Sequence, residues 1–219
     1  MAIYRGNTEL SKIYRGNTEI NKIYRGQDEI YSSAFYDDFL GTSLNTSAWS
    51  TFGTSYGSVT VSGGICTINN TSGGSSNRIG IYTNQTFGVG MTLTVRSRNT
   101  SGRHSGLIGF GESPWAPYPH DGTSKGVSWY SRADNISSTL SWNDDNGTTG
   151  YYDSVTEDLR SWQTFKIIRV NSSSVEVYRN DSLEHTISAT FANNYSVYFS
   201  TDGWYNPATI EVDWVQIEE

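Results

Sequence analysis

The sequence predicts an all-β protein, a jelly-roll β-sandwich preceded by short β-hairpin repeats. Three observations predict it. Good helix formers are scarce and no window carries an apolar stripe of helical period, whereas aromatics reach 14% and Gly numbers 22. Short runs that alternate apolar and polar residues recur from Ala34 onward, separated by Gly, Asn, Asp and Ser. A ten-residue unit occurs three times at the start.

The repeats come first. Residues 3–12 read IYRGNTELSK, residues 13–22 IYRGNTEINK and residues 23–32 IYRGQDEIYS. Each unit reads as a small hairpin. Ile-Tyr-Arg forms one strand, Thr-Glu-Ile or its equivalent the next, and Gly6-Asn7, Gly16-Asn17 or Gly26-Gln27 the two-residue turn. An isolated hairpin is marginal in water, and tandem units normally bury their faces against neighbours. Residues 1–33 are therefore expected to assemble or anchor the protein, through Ile3, Tyr4 and Arg5, Ile13, Tyr14 and Arg15, and Ile23, Tyr24 and Arg25. The expected partner is the chain itself, as a symmetric homo-oligomer with a trimer favoured.

Residues 34–219 read as the sandwich. Its strand-like runs include SVTVSGGICTI (58–68), MTLTVRSR (91–98), GLIGFG (106–111), VSWYS (127–131), TLSW (139–142), FKIIRV (165–170), SVEVYRN (174–180), YSVYFS (195–200) and TIEVDWVQI (209–217). Ten to twelve strands are expected, enough for two sheets. Ser62-Gly63-Gly64 and Arg179-Asn180-Asp181-Ser182 read as hairpin turns, and WNDDNG around Asp144 and Asp145 as another. Trp49, Trp129, Trp162 and Trp214 fall in or beside strand-like runs and are expected in the core.

Charge narrows the partners. The formal net charge is −7. Residues 1–33 carry five Lys/Arg and four Asp/Glu, and the rest carries ten and eighteen, so the sandwich stands at −8. Nucleic acid selects for basic surfaces and anionic lipid repels acidic ones, so neither is an expected partner. No stretch approaches the length of apolar residues that spans a bilayer, and the start MAIYRGNTEL lacks the apolar segment of a signal peptide. The lone Cys66 excludes an intrachain disulfide and reads as a buried, inert thiol beside Ile68.

Two resemblances follow. The decapeptide units resemble the IY-x-G-x-TEI tandem repeats of bacteriophage tail and other virion proteins. The opening YDDFLGTSLNTSAW (36–49) and the closing TIEVDWVQI resemble the first and last strands of concanavalin A-like or laminin G-like jelly rolls. Together they imply a non-enzymatic virion structural protein, made in a host cytoplasm and placed in the virion beside other virion proteins. Its repeats would anchor it and its sandwich would bind a host-surface glycan or receptor. The alternatives are a capsid decoration protein without sugar binding and, more distantly, a glycoside hydrolase.

Candidate ligand contacts lie on two aromatic loops. ESPWAPYPHDG (112–122) holds three of the four prolines, and its stiffness lowers the entropy lost on binding. Trp115 and Tyr118 would stack on sugar rings, with His120 and Asp121 as hydrogen-bond partners. Trp204 and Tyr205 in TDGWYNP (201–207) form the second cluster. No catalytic set is expected. Laminarinase-like jelly rolls use E-x-D-x-x-E on a central strand, and the nearest match here is Glu211, Asp213 and Gln216, on the last strand and with a Gln in the third place. No cofactor or bound metal is assigned, although Asp37 or Asp38 with Asp213 could offer oxygens to a structural calcium. His104 and His185 fit no catalytic arrangement; His185 is expected on a sheet face.

Overall fold

The structure is a computed structural model. It describes residues 4–5, 8–9, 14–15, 18–19, 22–25, 28–32, 35–101, 106–112, 124–132, 137–154, 159–203 and 208–218.

The repeats form three hairpins: β1 (Tyr4–Arg5) with β2 (Thr8–Glu9), β3 (Tyr14–Arg15) with β4 (Thr18–Glu19), and β5 (Lys22–Arg25) with β6 (Asp28–Ser32). Arg5 lies opposite Thr8, Arg15 opposite Thr18 and Arg25 opposite Asp28, so a two-residue connection closes each unit as the spacing predicts.

The sandwich strands, in order, are β7 (Phe35–Asp37), β8 (Trp49–Phe52), β9 (Gly57–Ser62), β10 (Ile65–Asn70), β11 (Gly74–Thr83), β12 (Thr92–Ser101), β13 (Gly106–Gly111), β14 (Gly126–Arg132), β15 (Ser137–Asn143), β16 (Thr149–Ser154), β17 (Gln163–Asn171), β18 (Ser174–Arg179), β19 (Ser182–Ser188), β20 (Ser196–Gly203) and β21 (Ala208–Glu218). Among the described residues the sandwich thus has fifteen strands rather than ten to twelve. The short edge strands β7, β8 and β16 alternate too briefly to be counted from sequence. The one helical element described is a single 3₁₀ turn at Thr54–Tyr56.

Two antiparallel sheets result. The first runs β19-β18-β17-β12-β21-β10-β9, with β7 also on β21. The second runs β16-β15-β14-β13-β20-β11-β8. The last strand of the sequence is therefore central in its sheet, between β12 and β10, which corrects the expectation that it lies outside the centre. The two hairpin turns form where predicted. Gly63 and Gly64 have φ 61° and 80°, and Asn180 and Asp181 have 48° and 65°; positive φ at both central positions matches strand twist.

The core lies between the inner faces. Alternate residues of β17 and β18 are buried in strict period two. Trp49 packs edge-on against Phe35 at 5.3 Å and near Phe199 at 5.5 Å, and Trp129 meets Phe165 at 5.0 Å. Trp49 Nε1 donates to Asp37 Oδ2 at 2.8 Å, which gives the buried indole its partner. Trp162 and Trp214 depart from the core expectation. Trp214 lies opposite Arg96, where a register shift turns it to the outer face of the first sheet, and Trp162 sits half-buried beneath Arg96 and Arg98.

One end of the sandwich is pinned by buried charge. Arg169 of β17 is fully buried. Its guanidinium donates to the carbonyls of Phe87, Phe191 and Asn193 and packs over the rings of Phe110 and Tyr195. The Tyr195 hydroxyl donates to Asp145 Oδ1, while Asp145 Oδ2 accepts from the amides of Ala192 (2.6 Å) and Asn193 (3.1 Å). Asp144 accepts from the amides of Asn146, Thr148 and Thr190, and Lys125 Nζ donates to both aspartate carbonyls. Burial opposes ionisation of Asp144 and Asp145, but these hydrogen bonds outweigh it and hold both carboxyls below their usual range.

Groups with depressed pKa values contribute stability above the unfolded carboxylate range and lose it as pH falls through the folded values. Stability to urea should therefore drop below about pH 4. Asp145→Ala should cost about 3 kcal/mol at neutral pH and flatten that acid limb, as read from urea midpoints across a pH series.

Candidate functional site

Of the six ligand contacts expected from sequence, Trp115, Tyr118, His120, Asp121, Trp204 and Tyr205 all lie outside the described residues, as do Ile3, Ile13 and His104. Their points of attachment are nevertheless fixed by strand register. Gly111, which ends β13, lies opposite Ser196 at the start of β20. Residues 112–125 therefore leave the second sheet at one end, and residues 204–207 leave β20 at the other. The strands that lead into the two segments end at opposite ends of the sheet.

Between those ends lies the outer face of the second sheet. One row across it reads Tyr82, Tyr198, Gly109, Ser128, Ser141 and Tyr151. The next reads Gly80, Ser200, Leu107, Tyr130, Thr139 and Asp153. Adjacent strands lie about 4.8 Å apart, so each row spans roughly 24 Å. Tyr130, Tyr198 and Leu107 form a buried cluster with Tyr82 against it, and the Phe52 ring lies 6.4 Å from Tyr82. A Cβ at Gly109 would stand 2.1 Å from the Val127 carbonyl oxygen, so bare backbone is required there.

The polar groups at the centre of this face are hydroxyls. Ser128, Ser141 and Ser200 are fully buried, and Ser141 Oγ and Ser200 Oγ have no hydrogen-bond partner. A buried hydroxyl without a partner costs about 1–3 kcal/mol. Burial pushes the Tyr198 phenol above its ordinary value, against the opposing influence of the Ser128 hydroxyl and the Arg78 guanidinium. Tyr151, 68% exposed, marks the open margin, where Thr139 Oγ1 also donates to Asp153 Oδ1 at 2.8 Å. Sequence reasoning missed this face. Its signal was that GLIGFG, VSWYS and SVYFS place large apolar or aromatic residues in both registers, as strands covered on two sides do.

The carboxylates singled out in the sequence do not reach it. Glu211 and Asp213 lie on the outer face of the first sheet, each held by an arginine: Arg98 Nε donates to Glu211 at 2.6 Å and Arg96 NH1 to Asp213 at 2.5 Å. Both arginines also stack over Trp162, at 4.5 Å for Arg98 and 5.2 Å for Arg96. Asp37, considered for calcium with Asp213, is similarly engaged. Asp37 accepts from the Phe39 amide and the Trp49 indole, and no group of three metal-ligating side chains occurs among the described residues.

His185 is half-buried at the far edge, stacked on Tyr152 at 4.4 Å and near Trp142 at 5.8 Å, and burial lowers its pKa. Cys66 is fully buried as expected, and burial, followed by the nearby Asp37 charge, pushes its thiol up to about 12.

Known proteins can now be compared. No family model matches the chain, and no curated protein matches it. Solved structures do. A Bacillus licheniformis β-glucanase aligns with TM-score 0.61 at 18% identity, over 85% of this chain and 98% of that one. LamAcat from Zobellia galactanivorans aligns with TM-score 0.61 at 14% identity, over 84% and 96%. The apo Crh5 transglycosylase aligns with TM-score 0.65 at 16% identity, over 86% and 85%. The chain has the concanavalin A-like jelly-roll fold.

At these identities the likeness carries the fold. It nonetheless overturns two expectations. The sandwich was read as the host-binding part of a virion structural protein without catalytic activity, yet the structures it resembles are a β-glucanase, a transglycosylase and endo-acting O-glycanases that initiate mucin breakdown. The repeats, which carried the virion reading, had drawn the sandwich along with them.

Two outcomes are expected. A disulfide reagent at pH 8 should leave Cys66 unmodified in the folded protein and titrate one thiol in urea. Glu211→Gln combined with Asp213→Asn should leave any action on glycan unchanged and cost under about 2 kcal/mol in urea unfolding, because these pairs are partly solvated.

Proposed function

We propose that the chain is a glycan-active jelly-roll protein that takes a polysaccharide across the outer face of its second sheet, with glycosidic-bond cleavage or transfer as its reaction. The likeness of 84–86% of the chain to glycanases and a transglycosylase carries this reading. The exposed Tyr151 ring and the Thr139–Asp153 pair at the open margin of that face support its placement, since a sugar can pack on a ring and both donate to and accept from such polar groups.

The reaction needs two carboxylates about 5–5.5 Å apart for retention, or about 6.5–9.5 Å apart for inversion. Asp153 and Asp202 are too far from each other to serve as that pair, since four strand spacings of about 4.8 Å separate β16 from β20. Asp202 of β20 lies opposite Arg78 of β11 in the strand register and is the acid to substitute first.

The test incubates the full-length protein with laminarin, mixed-linkage β-glucan and mucin O-glycan, and measures new reducing ends or elongated products. Wild type should yield product from one of them, and Asp202→Asn should lower the rate at least about 100-fold while the fold is retained. No product from any substrate would sink the catalytic reading. Because the two rows across the outer face hold a single carboxylate, Asp153, a second reading is binding without cleavage. It is recognised by retardation of the native protein in gels containing the same polysaccharide.

A further inference from the structure

The three repeats are three copies of one hairpin. Tyr4 lies opposite Glu9, Tyr14 opposite Glu19 and Tyr24 opposite Glu29, and the turn-proximal pairs Arg5–Thr8, Arg15–Thr18 and Arg25–Asp28 follow the same register. The third copy is longer, adding Ile23 opposite Tyr31 and Lys22 opposite Ser32. Among the described residues, each hairpin is a two-stranded sheet of its own and is hydrogen-bonded to no strand of the sandwich.

Such units lack the means to stand alone. The first two have strands of two residues, whereas three or more strands or a packed face are needed for independent stability in water. Each unit also has two unlike edges. The first strand carries Arg, and the second carries Glu, joined by Asp28 in the third unit. An edge strand pairs readily with another strand, and opposite charges across the pair favour the match.

Charge also selects the partner. The segment 1–33 stands at +1, while the remainder of the chain stands at −8, so two repeat segments repel each other far less than two sandwiches do. A basic edge and an acidic edge, recurring every ten residues, are complementary to another copy of themselves in matching register.

We propose that residues 1–33 are a homotypic assembly module. The Arg-bearing edge of each hairpin in one chain pairs with the Glu-bearing edge of the same hairpin in a second copy. Because the two edges differ, the contact is head-to-tail, and a closed ring of chains satisfies every edge. The sandwiches are then held as a cluster, which multiplies weak contacts with a repeating ligand. The assembly is independent of whether the sandwich cleaves glycan or only binds it.

The test is a charge exchange in the full-length protein, read by light scattering on a sizing column. The native chain should elute at an integer multiple of 24.3 kDa. One variant carries Arg5→Glu, Arg15→Glu and Arg25→Glu, and the other Glu9→Arg, Glu19→Arg and Glu29→Arg. Each alone should run as a monomer with an unchanged near-ultraviolet spectrum from the sandwich. Mixed, they should reassociate into rings in which the two variants alternate, each with an even number of chains, a rescue that simple loss of folding cannot produce. A native chain that stays monomeric at all concentrations, variants that remain assembled, or a mixture that fails to reassociate would each overturn the proposal.

Discussion

The sandwich is closed at one end by a single buried cation. Arg169 is fully buried, and its guanidinium donates to three backbone carbonyls and packs over two aromatic faces. A guanidinium suits that place because it is planar, holds its charge and presents several donors in a fixed fork. The carbonyls belong to segments flanking both sheets, so the side chain sets the distance between layers as well as its own position. Tyr195 relays the arrangement outward: one face meets Arg169 and its hydroxyl meets Asp145. The turn at Asp144 and Asp145 is thereby fixed to residues 190–193 by amide donors rather than by apolar packing.

That anchoring leaves the second sheet free to be unusual in the middle. Its central strands are covered on both faces, with Ile108, Phe110, Trp129 and Phe199 turned to the main core and Leu107, Tyr130 and Tyr198 to the outer cluster. Large rings and bare backbone alternate across the strands, Tyr198 beside Gly109 and Leu107 beside Tyr130. Such a surface is shaped by sterics first. The first sheet follows the opposite rule. Its outer face carries a lattice in which Arg96 pairs with Asp213, Arg98 with Glu211, and both arginines with the Trp162 ring.

Much of the fold was legible in the sequence because local chemistry decides it. Gly63-Gly64 and Asn180-Asp181 announce hairpins, and the strict alternation of β17 and β18 announces a half-covered pair. The repeats declare their own register. What was not legible depends on distant pairing. The order of strands in a sheet leaves no mark on any one strand, so nothing in TIEVDWVQI shows that it enters the middle. Trp214 turned outward because β12 and β21 slip by one residue at Arg96 and Ser97, and a slip of one residue exchanges the faces. The candidate site was the least legible part. Exposed aromatics on proline-rich loops drew attention to 112–122, whereas the hydroxyl row arises only when Ser128, Ser141 and Ser200, from three separate strands, are brought onto one face.

The central place of β21 has a consequence for how the chain is made. β12 begins at Thr92, but the neighbour that must lie against it begins at Ala208. At roughly 5–20 residues per second a ribosome needs on the order of ten seconds to deliver the second after the first. During that interval β12 and β10 each present an open ladder to solvent, with Cys66, Ile68, Leu93 and Val95 uncovered beneath them. The nascent sandwich cannot close from its beginning forward. It waits for its keystone, and in that window it depends on chaperones, or on the low stickiness of its Ser, Thr and Asn residues, to stay out of aggregates.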